Sequence, residues 1–332
     1  MASKKIKLGN VITLLVLSTV LTGPLSSCQA GNTPSNTVKV NDKGRNITSN
    51  NVDITPIPSI LALFACKPSD AAFVAAHRST HKGSKFPENA IEGLQALYDN
   101  SVPFAVINVA RLKDGTQIVF HDDTWDRGST GTGPITATDW AASQLLFLKD
   151  TNGEITSYHP SAFADVLAFA KDKLYLEIDF NASVDEAKVI DSIRTASMLG
   201  QVILISYNSE QALRLHKLAP KAALSVGINK PSDLKIYEQL GIPENVLTAW
   251  TGAGPITDEL AETLRTRKIP ILAGSFFGFD DILQTSGDLT PYIDYAVYPD
   301  LIVTDYAFDV QPVLEIAGDA NTKMENCLNE RP

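Results

Sequence analysis

The chain has 332 residues, 44% of them hydrophobic and 20% charged, which is ordinary globular composition with material for one large core. Its 28 basic and 38 acidic residues give a net charge of −10, which argues against nucleic acid as a partner and against a polybasic grip on anionic lipid. The chain carries no repeat of fixed period and no long low-complexity tract.

Residues 1–27 have the layout of a secretory signal: Lys4, Lys5 and Lys7, an apolar run from Val11 to Leu21, then a break at Gly23 and Pro24. The run is too short to span a bilayer comfortably. The ending Leu25-Ser26-Ser27-Cys28 resembles a bacterial lipobox, which implies cleavage before Cys28 and acylation of its thiol. Gln29, rather than Asp, follows the cysteine and leans toward the outer membrane of the cell envelope. Removing the signal takes away three lysines and no acids, so the mature chain is more acidic still, and acyl chains alone would attach it to a membrane. Residues 28–60 read as a flexible tether, because the Asn-, Thr-, Ser- and Gly-rich stretch up to about Thr55 cannot bury enough apolar surface to offset its chain entropy.

Residues 61–332 alternate apolar runs with helical patterns. Strands are predicted over Ala72–His77, Phe104–Ala110, Leu174–Phe180, Val202–Ser206, Ala222–Val226, Val246–Trp250, Ile269–Ala273 and Leu301–Thr304. The spacing predicts helices over Glu88–Tyr98, Val189–Leu199, Ser209–Leu218, Ser232–Gln239, Asp258–Arg267 and Val310–Ile316. Strands separated by helices imply a parallel sheet, and eight of them over this length imply an α/β fold of the (β/α)8 TIM-barrel class. The alternative, an open doubly wound sheet binding a dinucleotide, lacks the glycine fingerprint after an early strand. Lys113-Asp114-Gly115 predicts a small hairpin insertion after the second strand, one that returns His121 to the rim where His77 ends the first strand.

In this order and spacing, several segments converge: Ala76-His77-Arg78, Phe86-Pro87-Glu88-Asn89, Lys113-Asp114-Gly115, Val119-Phe120-His121-Asp122-Asp123 with Arg127 beyond, Leu176-Glu177-Ile178, Ile205-Ser206-Tyr207, and Leu301 to Tyr306. The chain here resembles the glycerophosphodiester phosphodiesterases, relatives of phosphatidylinositol-specific phospholipase C, from about Ala71 to Val313. The resemblance implies a barrel that cleaves a phosphodiester with two histidines and a divalent cation, in lipid metabolism. His77 and His121 match the catalytic pair; imidazole titrates near neutrality and can both take and give a proton. Arg78 matches a phosphate-holding residue, and Glu88 and Asn89 match a segment that shapes the phosphate or substrate site; Asn89 also suits a helix cap. The substrate implied is a small phosphodiester or lipid head group. His81 is expected in a solvated loop, and His159 and His216 are read as structural.

The departures lie in the cation site. The family places Glu-x-Asp on the second strand, and this chain has Val106 and Asn108; Glu177 is the one charged match. Asp179, where many relatives have Lys, shares a face with Glu177, so Glu177, Asp179 and Asn108 form a degenerate candidate site for Ca²⁺ or Mg²⁺, weakly bound or absent. Asp179 otherwise suits an ion pair with Arg78 or Lys82. Ser79 and Gly274-Ser275-Phe276 depart from the pattern too, putting substrate shape in doubt. The expectation is a weakened phosphodiesterase; the alternative is a barrel retained as a surface binding or structural lipoprotein. Finally, Cys66 and Cys327 flank the barrel, whose last strand closes on its first, and exported cysteines meet oxidising conditions; a disulfide is expected between them.

Overall fold

Eight of the apolar runs become eight parallel strands in a closed ring. The computed structural model describes residues 57–330; the signal, Cys28 and all but the end of the expected tether lie outside them. The strands are β1 (Phe73–Ala76), β2 (Phe104–Arg111), β3 (Gln117–Val119), β4 (Tyr175–Phe180), β5 (Val202–Ile205), β6 (Ala223–Gly227), β7 (Leu247–Trp250), β8 (Ile271–Gly274) and β9 (Leu301–Thr304). Their order is β1-β9-β8-β7-β6-β5-β4-β2, and β1 pairs with β2 to close the barrel. Helices run between the parallel strands, as a (β/α)8 barrel requires. The exception is β3, antiparallel to β2 with Val109 opposite Val119. Gly115 turns that hairpin at φ 91°, and Asp114 Oδ1 accepts from the Thr116 N–H at 3.0 Å.

Alternation along the strands sorts two cores. Val74, Ala76, Ala105 and Ile107 face outward onto the helices. Phe73, Ala75, Phe104 and Val106 face into the barrel with Tyr175, Ile203, Leu272 and Val303. The bottom of the barrel is plugged by a helix over Ile60–Cys66, whose Phe64 stacks on Phe104 at 5.9 Å. The C-terminal helix Gly318–Asn329 adds Met324 and Leu328 to that cluster. A Cys66–Cys327 disulfide ties the two helices together.

Several expectations need correction. The tether does not extend to residue 60: Ile60 is buried, and Tyr175 donates its hydroxyl to the Pro58 carbonyl at 2.8 Å. The insertion after β2 is larger than a hairpin. Residues 120–162 fold over a small core of their own around Trp125, Leu112, Ile118 and Leu148. The helix expected from Glu88 begins at Ile91, so Asn89 is not its cap; Ala90 holds that position with no side-chain bond. Helices at Phe163–Ala170, Phe279–Ser286 and Thr290–Tyr295 were not expected.

Candidate active site

The chain leaves β1 through a tight turn, His77–Ser79, in which Arg78 and Ser79 take φ of 53° and 54°. Gly93 permits this turn, since a Cβ there would come within 2.5 Å of the Ser79 carbonyl oxygen. The hairpin overshoots the rim and β3 brings the chain back, with the Phe120 N–H donating to the Asn108 carbonyl at 2.9 Å. Asn181, beyond β4, holds that return by donating Nδ2 to the carbonyls of Phe120 and His121, both at 3.1 Å. His77 and His121 therefore stand at the C-terminal rim, partly exposed, with 27% and 34% of the side chain accessible.

Each imidazole is held by its own carboxylate. His77 Nδ1 lies 2.8 Å from Asp305 Oδ1, and His121 Nδ1 lies 2.6 Å from Asp122 Oδ1. An ionised carboxylate only accepts, so each Nδ1 carries the hydrogen and each Nε2 is left to serve chemistry. Both carboxylates are ionised. Burial pushes the Asp305 carboxyl up, but the His77 contact and the positive charges of Lys82 and Arg78 outweigh it and hold it below the usual range. For Asp122 burial is likewise outweighed, by Arg127 and His121.

Behind the histidines runs a chain of ion pairs. Arg127 donates to Asp122 Oδ2 at 2.7 Å and to Glu88 Oε2 at 2.8 Å. Arg78 Nη1 donates to both Glu88 oxygens at 3.2 Å. Burial pushes the Glu88 carboxyl up, yet Arg127 and Arg78 together hold it below its ordinary value. Glu88 thus spaces two arginines, and it lines the same hollow as Arg78 and His77. The Nε of Arg78 is buried and has no partner among the described residues. Arg78, Lys82, His77 and Thr80 line one hollow; Asn108, His121, Asp122, Asp123, Asp179 and Tyr207 line another.

A second carboxylate stands behind His77. Asp280 is 4% exposed and accepts from the hydroxyls of Ser275 at 2.7 Å and Thr304 at 2.8 Å, from Tyr292, and from the Asp305 backbone N–H at 2.9 Å. It joins the loop after β8 to the end of β9, and so positions Asp305. The same loop lays the Phe276 ring 4.6 Å from the His77 ring. Gly274 makes room for it: a Cβ there would meet the Phe276 ring at 2.5 Å. Asp305, Asp122 and Arg127 stood inside or beside the quoted motifs, but no local signal marks Asp280, whose partners come from three separate segments.

The residues proposed for a cation do come together, but as a hydrogen-bonded cluster. Glu177 sits opposite Val106 and Asp179 opposite Asn108 across β2 and β4. Asn108 Nδ2 donates to Asp179 Oδ2 at 2.9 Å, and Tyr207 donates to the same oxygen at 2.8 Å. Asp179 thus pairs with neither Arg78 nor Lys82. Asn89, 1% exposed, cannot reach a substrate; it is bonded to Asn108 instead. Burial, with Asp179 nearby, pushes Glu177 up to about 8, and burial raises Asp179 as well. Among the described residues no group of three or more His, Cys, Asp and Glu is arranged to hold a metal ion. The set expected for a divalent cation is not a fit on its own chemistry: Asn108 turns an NH₂, not an oxygen, toward Asp179. His81 is not in a solvated loop: it stacks on Phe308 at 4.7 Å and its Nδ1 accepts from the Phe308 N–H, while burial lowers its pKa.

The barrel aligns with solved structures. A glycerophosphoryl diester phosphodiesterase from Parabacteroides distasonis matches at TM-score 0.71 and 21% identity, over 80% of this chain and 96% of that one. A phosphodiesterase from Oleispira antarctica, solved with its product sn-glycerol-3-phosphate, matches at 0.58 and 18%, over 74% and 97%. In sequence, human glycerophosphodiester phosphodiesterase 1 is 31% identical over 80 residues, 24% of each chain. This chain thus spans about a quarter of the length of the named relatives it matches. The uncharacterised Bacillus subtilis protein YqiK is 24% identical over 58% of this chain and 82% of its own. No family model matches. The Parabacteroides neighbour and the human relative are glycerophosphodiester phosphodiesterases, the family the motifs resemble, and the barrel is the fold this chain shares with the solved structures.

Proposed function

We propose that this chain is a phosphoric diester hydrolase of the glycerophosphodiester phosphodiesterase type, cleaving a small glycerophosphodiester to glycerol phosphate and an alcohol. The observation that carries the reading is the pair of rim histidines, each with Nδ1 on its own carboxylate and Nε2 left over. One histidine takes a proton from the attacking water as its oxygen bonds to phosphorus. The other gives a proton to the departing alkoxide as the old P–O bond breaks; water is consumed and one alcohol is released. Asp305 and Asp122 stabilise the imidazolium that forms on either side. Arg78 holds the phosphate through its planar fork, with Glu88 and Arg127 fixing its position. A place in lipid metabolism and a lipid anchor at Cys28 in the cell envelope belong to the same proposal.

The test is release of product from glycerophosphocholine by wild type and by His121→Gln. Turnover that disappears in the variant supports the proposal. A folded wild type that releases no product from any glycerophosphodiester returns the chain to the binding-lipoprotein reading.

A further inference from the structure

The direction in which Asn108 points follows from one backbone group. The Asn108 N–H can only donate, and it does so to Asn89 Oδ1 at 2.9 Å, which fixes the oxygen end of the Asn89 amide. The other end, Asn89 Nδ2, is then the donor to Asn108 Oδ1 at 3.1 Å. That consumes the oxygen of Asn108 and leaves its Nδ2 as the end that meets Asp179. The backbone, not a choice between equivalent flips, settles the assignment. A hard cation needs oxygen lone pairs, and the group turned toward Asp179 is an NH₂.

A second observation comes from the layer below. Val106, opposite Glu177, belongs to the apolar cluster inside the barrel together with Ala75 and Val303. Tyr207 adds a hydroxyl donor to the Asp179 oxygen that Asn108 already bonds. Where the resemblance places two acids around a cation, this chain has a hydrocarbon layer and two donors converging on one carboxylate oxygen.

We infer that hydrogen bonding stands in for the divalent cation: Asn108 and Tyr207 hold Asp179, Asn89 locks Asn108 in the donor orientation, and the cleft works without Ca²⁺ or Mg²⁺. Charge on the phosphate is met by Arg78 and the histidines instead. This deepens the phosphodiesterase reading and rests on it only for the activity measurement.

Thermal unfolding and calorimetric titration of the full chain with Ca²⁺ and Mg²⁺ up to about 10 mM test it, a ceiling above the range of weak protein Ca²⁺ sites. Wild type should show no binding heat, a Tm shift below about 1 °C and, where it turns over, rates unchanged by EDTA. Val106→Glu with Asn108→Asp should melt earlier in EDTA, through repulsion among four clustered carboxylates, and gain about 5 °C in saturating Ca²⁺. Asn89→Ala, which releases the Asn108 amide to turn its oxygen inward, should give a smaller gain of the same sign. A wild-type Tm that rises several degrees with either cation, the rise vanishing in Glu177→Gln, overturns the inference. If the double variant does not fold, the wild-type titration alone decides. If the chain hydrolyses no diester, the functional reading falls while the titration still tests the cation.

Discussion

At the bottom of the barrel the strands run into Phe64, Phe73, Phe104 and Tyr175, closed off by two helices and a disulfide. At the top, the same strands run into ionised, partly exposed groups in unfavourable backbone. Of the described non-glycine residues with positive φ, Ser101, Asp172, Ser197 and Lys268 each follow a helix end, where the left-handed conformation is an ordinary stop. The other four, Arg78, Ser79, Asn89 and Phe277, lie in or beside the site. Such positions cost of order 1 kcal/mol each, so the rim spends stability that the apolar end supplies. Buried Lys67 shows that the bottom is not purely apolar: it meets Asp300 at 3.0 Å and the Pro68 carbonyl at 2.6 Å, fully partnered. Charge at the bottom is satisfied internally, and charge at the top is left with capacity to spare.

The sharpest break in this comparison is at the histidines. Glutamine at position 77 or 121 should lower turnover by about 10²–10⁴-fold, the usual share of a general acid or base. Because both rings are partly exposed and each is held by one hydrogen bond to a carboxylate, Tm should hardly move. A Tm drop of several degrees would mean that the histidines are structural.

Glu177 is the point where the apolar interior meets the charged rim, and it should set the alkaline limit of stability. Its folded-state pKa is raised to about 8 from an ordinary 4.5, by burial first and Asp179 second. Below pH about 4.5 both folded and unfolded chains carry the proton. Between there and pH about 8 the unfolded chain releases it while the folded one keeps it, so stability falls steadily as pH rises. The loss is of order several kcal/mol. Glu177→Gln should flatten that slope and be more stable than wild type at pH 8–9, measured by urea unfolding across pH. Equal slopes in the two proteins would place the ionised carboxylate in a better-solvated setting than the structure gives it.

Much of this was legible beforehand, and the exceptions share a cause. The eight strands were legible because residues buried on both faces read as continuous apolar runs. His77, Arg78 and His121 were legible because a few short segments carry them at characteristic spacing. Asn89 was misread as a cap and a substrate contact: Asn before an apolar periodic stretch suits a cap, but its φ of 54° and its partner Asn108 depend on the packing of β1 against β2. Asn108 was expected to offer an oxygen; which end of an amide faces a neighbour is a property of the network, not of the residue. Asp280 reaches Thr304 24 residues on, and Tyr207, although inside a quoted segment, reaches Asp179 28 residues back, at spacings that no local pattern encodes.

At the bottom, the Cys66–Cys327 bond closes almost the whole barrel, joining cysteines separated by 261 positions in sequence. Replacing both cysteines by serine should cost about 5 kcal/mol, chiefly by freeing the unfolded chain. The terminal helices should loosen first, seen as faster hydrogen exchange at Leu63 and Leu328, while turnover of the folded fraction stays within about twofold, since the site lies at the opposite end. A fall in turnover as large as the fall in stability would show that the two ends are coupled through the barrel.

The smallest effect concerns Phe277, which is 89% exposed and held at φ 62°. A β-carbon is costly in that conformation, and an exposed ring returns little burial in exchange. Glycine adopts it without strain, although its freer unfolded chain offsets part of the gain. Phe277→Gly should therefore stabilise the fold by up to about 1 kcal/mol, a Tm rise of a few degrees at this size. The loop it sits in also carries Phe276 against His77 and Ser275 onto Asp280. If strain at Phe277 is the cost of presenting its ring to substrate, the stabilised variant should show a higher KM with kcat little changed. A variant that is more stable and kinetically identical would make Phe277 a tolerated misfit, and would remove it from the strain attributed here to the working end of the barrel.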